Sequence, residues 1–465
     1  MTWQRALWSA PAALLFGCAT TGQASYDAMR GDVDRAGLAA PRGQVDDDRA
    51  LQGPVLDRPT YVRVVLHRNP SIESARQGWR GAVARVRQSG KLEDPMVAVE
   101  VAPLSIGSAS ARFGYTASAS QRVPWPGKLS LDESITRAEA EAMRSDFEAT
   151  RRELALAAAL LYDQYFVAVR SLEINTQHVA LMRELKAGAL AQFASGRGSA
   201  QDPLQAEAEL THLEHDAVTL ASQRDITVAE MNELLHRDPE LPLPPPPKEL
   251  PVNGAPEARS SAQLADEAVK RRPEIEAMRL RARGEQARAD RAGRESYPDL
   301  TASTSYNSMW DMPEHRWMVG LSVNVPIQLG RRAGAVDEAN AARGRFESET
   351  ARLTDKARTE VAVALKRLEE TAHVLRLYEE RLIPVARDQV DAARAGFITS
   401  RNDFVAAIGA EKNLRSVELE YQMMRATFDR RRAELDRALG RIPGLDADGA
   451  SPAAGARSAS GEVAR

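Results

Sequence analysis

The sequence predicts a mainly α-helical protein with a small β part, built from a duplicated unit in which two strands precede a hairpin of very long helices. Three observations predict this fold class: an internal repeat, long stretches with heptad spacing, and four short segments in which apolar and small polar residues alternate. Aromatic residues make up 5% of the chain and charged residues 27%, which is typical of long helices that share buried surface with neighbours.

The repeat is visible in short motifs that return at a nearly constant offset. The segment RNPSIE at 68–73 returns as RRPEIE at 271–276, which is 203 residues later. Phe193 returns as Phe397 with an offset of 204. Because the offset between matching motifs stays nearly constant along the chain, the pattern indicates that one structural unit was duplicated.

The repeat, together with composition, divides the chain into six segments. In chain order they are a signal peptide at 1–17, an N-terminal lipidated tether at 18–57, a first repeat at 58–240, a Pro-rich linker at 241–261, a second repeat at 262–440 and a disordered tail at 441–465. Within each repeat we expect a short helix (about 71–90, then about 274–293), a β-hairpin (about 96–123, then about 299–326) and then long helices (about 131–236, then about 334–438).

The long helices are predicted from heptad-type spacing. Leu154, Ala158, Leu161 and Tyr165 are spaced by four, three and four residues, as along the seam of a coiled coil. A helix of about 60 residues would be about 90 Å long, and such a rod cannot bury its apolar stripe by itself. Its partner is either its own antiparallel mate or another chain.

The four predicted strands alternate with a period of two. Val97, Val99 and Val101 alternate with small or polar residues, and the other three segments follow the same pattern. This alternation is typical of transmembrane β-strands that have one wet face. Four strands are too few to close a membrane barrel, because bacterial outer-membrane barrels begin at about eight. Either the strands form a water-soluble sheet, or several chains pool their strands.

The N-terminus carries a secretion signal and a candidate lipid attachment site. An apolar run at 6–16 is too short to span a bilayer and ends in the string LFGC, which is similar to a bacterial lipobox. In this interpretation Leu15 and Gly17 belong to the cleavage motif, and Cys18 becomes the lipid-bearing N-terminus with attached palmitate. The alternative is an ordinary signal peptide with an incidental cysteine.

The composition excludes several function classes. Cys18 is the one cysteine, so the chain can form neither an internal disulfide nor a cysteine-rich zinc site, and its seven histidines are scattered. The net charge of −3 argues against a nucleic-acid binder. Neither a phosphate-binding loop nor a catalytic constellation is recognisable, and we therefore predict a protein that is not an enzyme and needs neither cofactor nor metal.

Three motifs at strand ends carry a family resemblance. They are QRVPWPGKL at 121–129, YPDL at 297–300 and VNVPI at 323–327. Together with the hairpins and the lipobox they resemble the TolC-type outer-membrane efflux family over about residues 58–440. The string PWPGK is similar to the lipidated heavy-metal and copper/silver branch of that family.

The resemblance implies the outer-membrane channel component of a tripartite efflux system. Three copies would form a trimeric α-helical barrel that continues into a twelve-stranded transmembrane β-barrel in outer-membrane lipid. An inner-membrane efflux pump and a periplasmic adaptor protein would deliver substrates such as heavy-metal cations or drugs to this passive duct. The chain would be lipid-anchored on the periplasmic side.

The resemblance also implies roles for the turns that join the long helices. These turns would be the periplasmic tips that contact the adaptor, with Arg401 at the position of a gating arginine. The expected tip residues are Gly196, Arg197, Ser199, Asp202, Ser400, Arg401 and Asp403. Some members carry an acidic constriction beyond the second tip, whereas this chain has Val405 and Ile408, which would gate by dewetting instead.

A competing interpretation is a periplasmic coiled-coil lipoprotein that acts as an adaptor or structural spacer. It accounts for the helices and for Cys18, but it leaves the four alternating strands unexplained. An adaptor would also need a β-rich lipoyl-like domain, which the sequence does not suggest. A third interpretation, a secreted hydrolase, has no catalytic constellation to support it.

Overall fold

The computed structural model describes residues 20–37, 47–107, 109, 111–250, 259–399 and 403–445. Most of these residues are helical, and four strands form one small sheet, which confirms the predicted fold class of long helices with a small β part. The first half contains α1 (Thr20–Gly37), α2 (Arg58–Arg68), α3 (Pro70–Gln88), β1 (Met96–Val101), β2 (Tyr115–Val123), α4 (Lys128–Ala194) and α5 (Gln201–Leu234). The second half contains α6 (Ser261–Arg271), α7 (Pro273–Arg294), β3 (Leu300–Asn307), β4 (Trp317–Val323), α8 (Leu329–Leu377), α9 (Ile383–Ile398) and α10 (Phe404–Ala438).

The short helices show the duplication most clearly. Helices α2 and α6 each have 11 residues, and each is followed after one residue by a helix that begins with proline, Pro70 or Pro273. The intervening residues, Asn69 and Arg272, are extended with ψ of 125° and 120°. A residue before proline avoids the helical region, and proline itself fits a first helical turn because it needs no N–H donor there. The same local chemistry therefore breaks the helix at the same place in both halves.

The chain forms two compact units that each draw segments from both repeats. One comprises the described residues of Met1–Leu38, Ala75–Phe147 and Glu274–Leu353, and the other comprises those of Ala39–Ser74, Glu148–Pro273 and Thr354–Arg465. In the first unit Trp79 and Phe147 pack with ring centroids 5.7 Å apart. In the second, buried Tyr61 and Tyr162 pack at 6.2 Å, and each hydroxyl donates a hydrogen bond to a backbone carbonyl. Partnered hydroxyls let tyrosine lie in a core at little cost.

The buried stripe of α4 differs in part from the predicted seam. Ala158 and Tyr165 are buried as expected, whereas Leu154 and Leu161 only border the core cluster. Tyr162 and Phe166, outside the predicted seam, are completely buried. The helix packs against several elements at once, so its apolar surface is wider than a two-helix seam.

The first of the long helices predicted at about 334–438 is interrupted by a π-helical turn at Tyr378–Leu382. In this turn the Ile383 N–H donates to the carbonyl of Tyr378, five residues earlier. Pro384 follows at the start of α9 and has no N–H to give to the preceding turn. The wider turn accommodates the proline without ending the rod.

The sequence analysis missed three helices, namely α1, α2 and α6. Helix α1 lies within the predicted tether and packs through buried Tyr26 and Val33. Helices α2 and α6 are only 11 residues long, too short for periodicity to distinguish them from loops. No helix among the described residues combines the length and the apolar character needed to cross a lipid bilayer.

Candidate functional site

The four strands form an antiparallel sheet in the order β1-β2-β3-β4, and its register places the apolar residues of the predicted alternation on one face. Val99 is paired with Ala117, Ala117 with Tyr306, and Tyr306 with Trp317. Because side chains alternate along a strand, every second residue from these pairs lies on the same face. We call this the apolar face; its members are Val97, Val99, Val101, Tyr115, Ala117, Ala119, Gln121, Val123, Leu300, Ala302, Thr304, Tyr306, Trp317, Val319, Leu321 and Val323.

The apolar face is exposed in the single chain. Val97 in β1 is 72% exposed and Val319 in β4 is 89% exposed. A contiguous apolar surface of this kind marks a site of contact with protein or membrane.

The opposite face is composed mainly of small hydroxyl residues. Its members from β2 to β4 include Thr116, Ser118, Ser120, Arg122, Thr301, Ser303, Ser305 and Ser322. The sheet therefore has one mainly apolar face and an opposite face that is rich in hydroxyl groups from β2 to β4, as the sequence alternation predicted.

An aromatic row crosses the end of the sheet that lies away from the long helices. The rings of Phe113 and Tyr115 are 5.8 Å apart, those of Tyr115 and Tyr306 are 5.7 Å apart, and those of Tyr306 and Trp317 are 5.4 Å apart. At the other end of the sheet Trp125 stacks on Tyr297 at 5.3 Å. Aromatic rings at both ends of an apolar band match the belts found at membrane interfaces.

A buried carboxylate joins the sheet to the helix that follows it. Asp299, the residue before β3, accepts hydrogen bonds from Lys128 Nζ at 2.8 Å, from the Trp125 N–H at 2.9 Å and from Arg122 Nη2 at 2.7 Å. Its own N–H donates to Asn324 Oδ1 at 2.5 Å. The three family-like motifs, separated by up to two hundred residues, thus meet at one residue, Asp299.

The electrostatics of this junction stabilise the ionised carboxylate. Burial opposes ionisation of Asp299, but the hydrogen bonds from Lys128, the Trp125 backbone and Arg122 outweigh it and lower the pKa of Asp299 to about 2. The Lys128 side chain is itself fully buried and also donates to the Tyr297 carbonyl at 3.2 Å. A charge buried this deeply is tolerated because it is paired and hydrogen-bonded.

The first helix-joining turn ends α4 with a glycine cap. Gly196 has φ of 70°, and the Arg197 N–H donates to the Gln192 carbonyl at 2.9 Å, which is the Schellman arrangement that ends α4. Ser199 Oγ accepts from the Gln201 N–H at 3.2 Å, and the Asp202 carboxylate accepts from the Ser199 N–H at 3.2 Å. Ala200 is the N-cap residue of α5 and makes no side-chain cap hydrogen bond. Ser199 and Asp202 therefore hold the turn that precedes α5, and Arg197 lies exposed in it.

The second turn is described only in part. Ser400 and Arg401 lie outside the described residues. Asp403 is the N-cap of α10, where its carboxylate accepts from the Ala406 N–H at 2.9 Å. Val405 is exposed, whereas Ile408 packs in an apolar cluster with Leu213 and Phe404. The role of these residues in a constriction stays a prediction.

The two turns are held against each other within one chain. Gln192 Nε2 donates to the Phe397 carbonyl at 3.0 Å. The rings of Phe397 and Phe404 lie 5.1 Å apart in the cluster that covers Met182 and Leu185 of α4. Phe193, the repeat equivalent of Phe397, is half exposed, so the duplicated positions have diverged in environment.

Buried polar groups connect the two helical hairpins above the turns. Asn175 on α4 donates to the Leu213 carbonyl at 2.8 Å and accepts from Arg415 Nη2 at 3.0 Å. His178 Nε2 lies 3.2 Å from Glu418 Oε2 on α10. Spacing alone did not identify these bridges, because each joins residues more than thirty positions apart. The predicted lipid attachment site, with Leu15, Gly17 and Cys18, lies outside the described residues.

Comparison with known proteins places the fold. Residues 264–441 match the family model described as outer membrane efflux protein. No curated protein matches the chain at the level of sequence. Three solved structures are similar over most of the chain: the outer-membrane channel OprN (18% identity, TM-score 0.69, 82% of this chain and 89% of that one), CusC (17%, 0.70, 84% and 94%) and VceC from Vibrio cholerae (16%, 0.67, 82% and 95%).

The family model matches the second repeat, and the solved structures share the fold of most of the chain, so both agree with the resemblance to the outer-membrane efflux family. CusC and OprN match this chain about equally well, and membership of the heavy-metal branch stays a prediction.

Proposed function

We propose that this chain is the outer-membrane channel of a tripartite efflux system, a passive duct from the periplasm to the outside. The proposal rests on the apolar face, which is continuous across all four strands and is exposed to solvent in the single chain. Opposite it lies a hydroxyl-rich face suited to a water-filled lumen. In this arrangement the chain binds and conducts but performs no catalysis.

The free edges of the sheet indicate that several copies complete it. Strands β1 and β4 are the outer strands, and they do not pair with each other among the described residues. An open edge in hydrocarbon leaves backbone N–H and C=O groups without partners, which costs several kcal/mol per group. Pooled strands from sister copies would satisfy them, and the family resemblance sets the number of copies at three.

The helices support shared faces as well. Several apolar side chains on the long helices are exposed in the single chain although neighbouring positions are buried, among them Val218, Ile226, Val363 and Val385. Long rods that leave apolar residues uncovered are stabilised by contact with further helices. A trimeric helical barrel would cover these faces.

Partners and cargo follow from the same model. We infer that the turns around Arg197 and Asp403 contact a periplasmic adaptor, and that an inner-membrane pump delivers the cargo. The cargo we propose includes heavy-metal cations and drugs. The hydroxyl-rich face carries few charges, so it would pass either kind of cargo.

We also propose a lipid anchor at Cys18. Helix α1 begins at Thr20 and is fixed to its own compact unit: Arg87 lies over the Tyr26 ring at 5.4 Å, and Arg144 pairs with Asp32 at 3.1 Å. A segment held this way would keep an acylated Cys18 at a defined place. Wild-type protein should incorporate radiolabelled palmitate and the Cys18→Ser variant should not; label in the variant would contradict the anchor.

Disulfide cross-linking tests the pooled sheet. In one variant Val99→Cys in β1 is combined with Val319→Cys in β4, and in a second with Leu321→Cys, because the register between copies is to be determined. Oxidation of membranes that contain these variants should produce covalent dimers and trimers on a denaturing gel, since β1 of one copy lies beside β4 of the next.

A matched pair controls for the reagent. Ala119 and Thr304 are paired residues of β2 and β3 in the same chain, so Ala119→Cys with Thr304→Cys should cross-link internally and migrate as a monomer. Edge variants that also stay at the monomer position with both thiols oxidised would show that β1 and β4 meet within one molecule, and the pooled sheet would be wrong.

A further inference from the structure

The turn between β3 and β4 gathers sulfur, imidazole and indole groups in a short stretch. Residues 309–315 read MWDMPEH, with Met309, Met312 and His315 spaced by three. Met309 is 55% exposed and Met312 is 62% exposed, and Trp310 and His315 are also exposed. Large apolar side chains left open to solvent at a strand turn need an explanation beyond packing.

The backbone of this turn is well held. The His315 N–H donates to the Met312 carbonyl at 3.1 Å, which closes a tight 3₁₀ turn over Pro313–His315. A turn closed by such a bond keeps its first and fourth Cα atoms within about 7 Å. Arg316 Nε donates to the Trp310 carbonyl at 2.8 Å and so fixes the start of the turn to its end. Met312 and His315 are therefore neighbours by construction.

Two of these side chains are in contact, and a third lies at the base of the turn. The indole of Trp310 and the imidazole of His315 contact edge to face, with ring centroids 6.1 Å apart and planes at 84°. Met309 lies at the base of the turn against Gly114, whose missing side chain leaves room for its sulfur. Methionine has three rotatable bonds, so an exposed thioether adjusts readily to a ligand.

The donor set selects a soft cation. Thioether sulfur and imidazole nitrogen suit Cu(I) and, by the same softness, Ag(I), whereas hard cations prefer carboxylates and water. The face of an indole also attracts a cation placed above it. Among the described residues no group of three His, Cys, Asp or Glu side chains offers a competing hard site.

We propose that the β3–β4 turn binds one soft monovalent cation, Cu(I) or Ag(I), through the Met312 thioether and the His315 imidazole, with Met309 as a third ligand and the Trp310 indole against the ion. This site is a property of the turn alone and does not rest on the proposed export function. The turn lies at the end of the sheet away from the long helices, whether or not the sheet spans a membrane.

Silver titration of the full-length protein in detergent tests the proposal. Calorimetry with Ag(I) should show one site per chain in wild-type protein, and Met312→Leu and His315→Gln should each weaken it at least tenfold. Met423→Leu is the matched control, because Met423 is another half-exposed methionine, on α10. Retained affinity in Met312→Leu and His315→Gln, or an equal loss in Met423→Leu, would overturn the site.

Fluorescence gives a second readout that loss of folding does not imitate. Ag(I) should quench part of the tryptophan emission of wild-type protein, and Trp310→Phe should abolish that quenching while the calorimetric site persists. Quenching that survives in Trp310→Phe would contradict the placement of the indole. Neither result depends on whether the sheet is pooled among copies, which the cross-linking experiment decides separately.

Discussion

Asp299 connects parts of the chain that are remote in sequence, and it illustrates what single residues contribute here. Its carboxylate receives Arg122 from β2, the Trp125 backbone and Lys128 from the start of α4. The motifs that contain these residues were recognised from the sequence as family marks. That they converge on one carboxylate could not be predicted, because no local pattern encodes a contact across 171 positions.

Loss of the Asp299 charge should destabilise the fold. In Asp299→Asn the buried Lys128 ammonium keeps the Tyr297 carbonyl, but its nearest remaining carboxylate is the more distant Glu295 at 3.6 Å. Removal of one partner from a buried ion pair costs about 3–5 kcal/mol. We expect a clearly lower Tm by circular dichroism in detergent. Asp355→Asn, at a side chain that is 80% exposed, should leave the Tm unchanged.

The double variant Lys128→Met with Asp299→Asn separates the effect of an unpaired buried charge on stability from the effect of a changed side-chain shape at the junction. Because no buried charge is left unpaired, it should melt at a higher temperature than Asp299→Asn alone. If both variants melt like wild type, the junction does not stabilise the protein as argued.

A second buried carboxylate predicts a pH dependence. Arg58 Nη1 lies 3.2 Å from Asp163 and 3.9 Å from Asp429, so two acids share one guanidinium. Burial, reinforced by the charge of Asp429 and opposed by Arg58, raises the pKa of Asp163 to about 7 from its ordinary 3.8. The folded state thus binds this proton more tightly than the unfolded state, and stability falls as pH rises from about 4 to about 7.

The Asp163→Asn variant should lack this dependence. The difference in Tm between the variant and wild type should shift in favour of the variant from pH 5 to pH 8, because only wild type loses the proton over that range. The Asp355→Asn control should keep a constant offset. A difference that stays constant or shifts the opposite way would contradict the raised pKa of Asp163.

At the scale of elements, periodicity predicted helices and strands well where the periodic segment was long. The sequence predicted the two-residue alternation of all four strands, and the register confirms one apolar face. The helix-joining turn at Gly196 was likewise predictable, since glycine is the residue that most easily adopts a positive φ. Helices α2 and α6 were missed because eleven residues contain too few turns to show a period. The π-helical turn before Pro384 was missed because most prolines end a helix instead.

The apolar face makes a prediction that adjacent residues of β4 can test. Leu321 lies on the apolar face and Ser322 on the opposite one. Arginine on a lipid-facing strand costs about 2–4 kcal/mol near the bilayer midplane, whereas a lumen position tolerates it. Leu321→Arg should therefore lower the yield and heat stability of the assembled protein in membranes, and Ser322→Arg should not.

Equal effects of the two arginine variants would show that the faces do not differ in their surroundings. Heat-modifiable migration on a gel is the measurement, because a folded β-barrel and its unfolded chain migrate differently. Leu321→Arg that assembles like wild type would argue against lipid on the apolar face.

For the whole molecule, the sequence and the structure independently support the same proposal, a sheet that several copies complete. The sequence predicted too few strands for a barrel and helices too long to stand alone. The structure adds outer strands that do not pair with each other and an exposed apolar face. The number of copies could not be derived from either, because the contacts that decide it lie between chains; it rests on the resemblance to the efflux family.

The mass of the purified particle, measured by light scattering with and without detergent, tests the central claim most directly. Three chains per particle that stay in solution only with detergent is the result that a pooled, lipid-facing sheet predicts. A single chain that remains folded and soluble after detergent removal would contradict it.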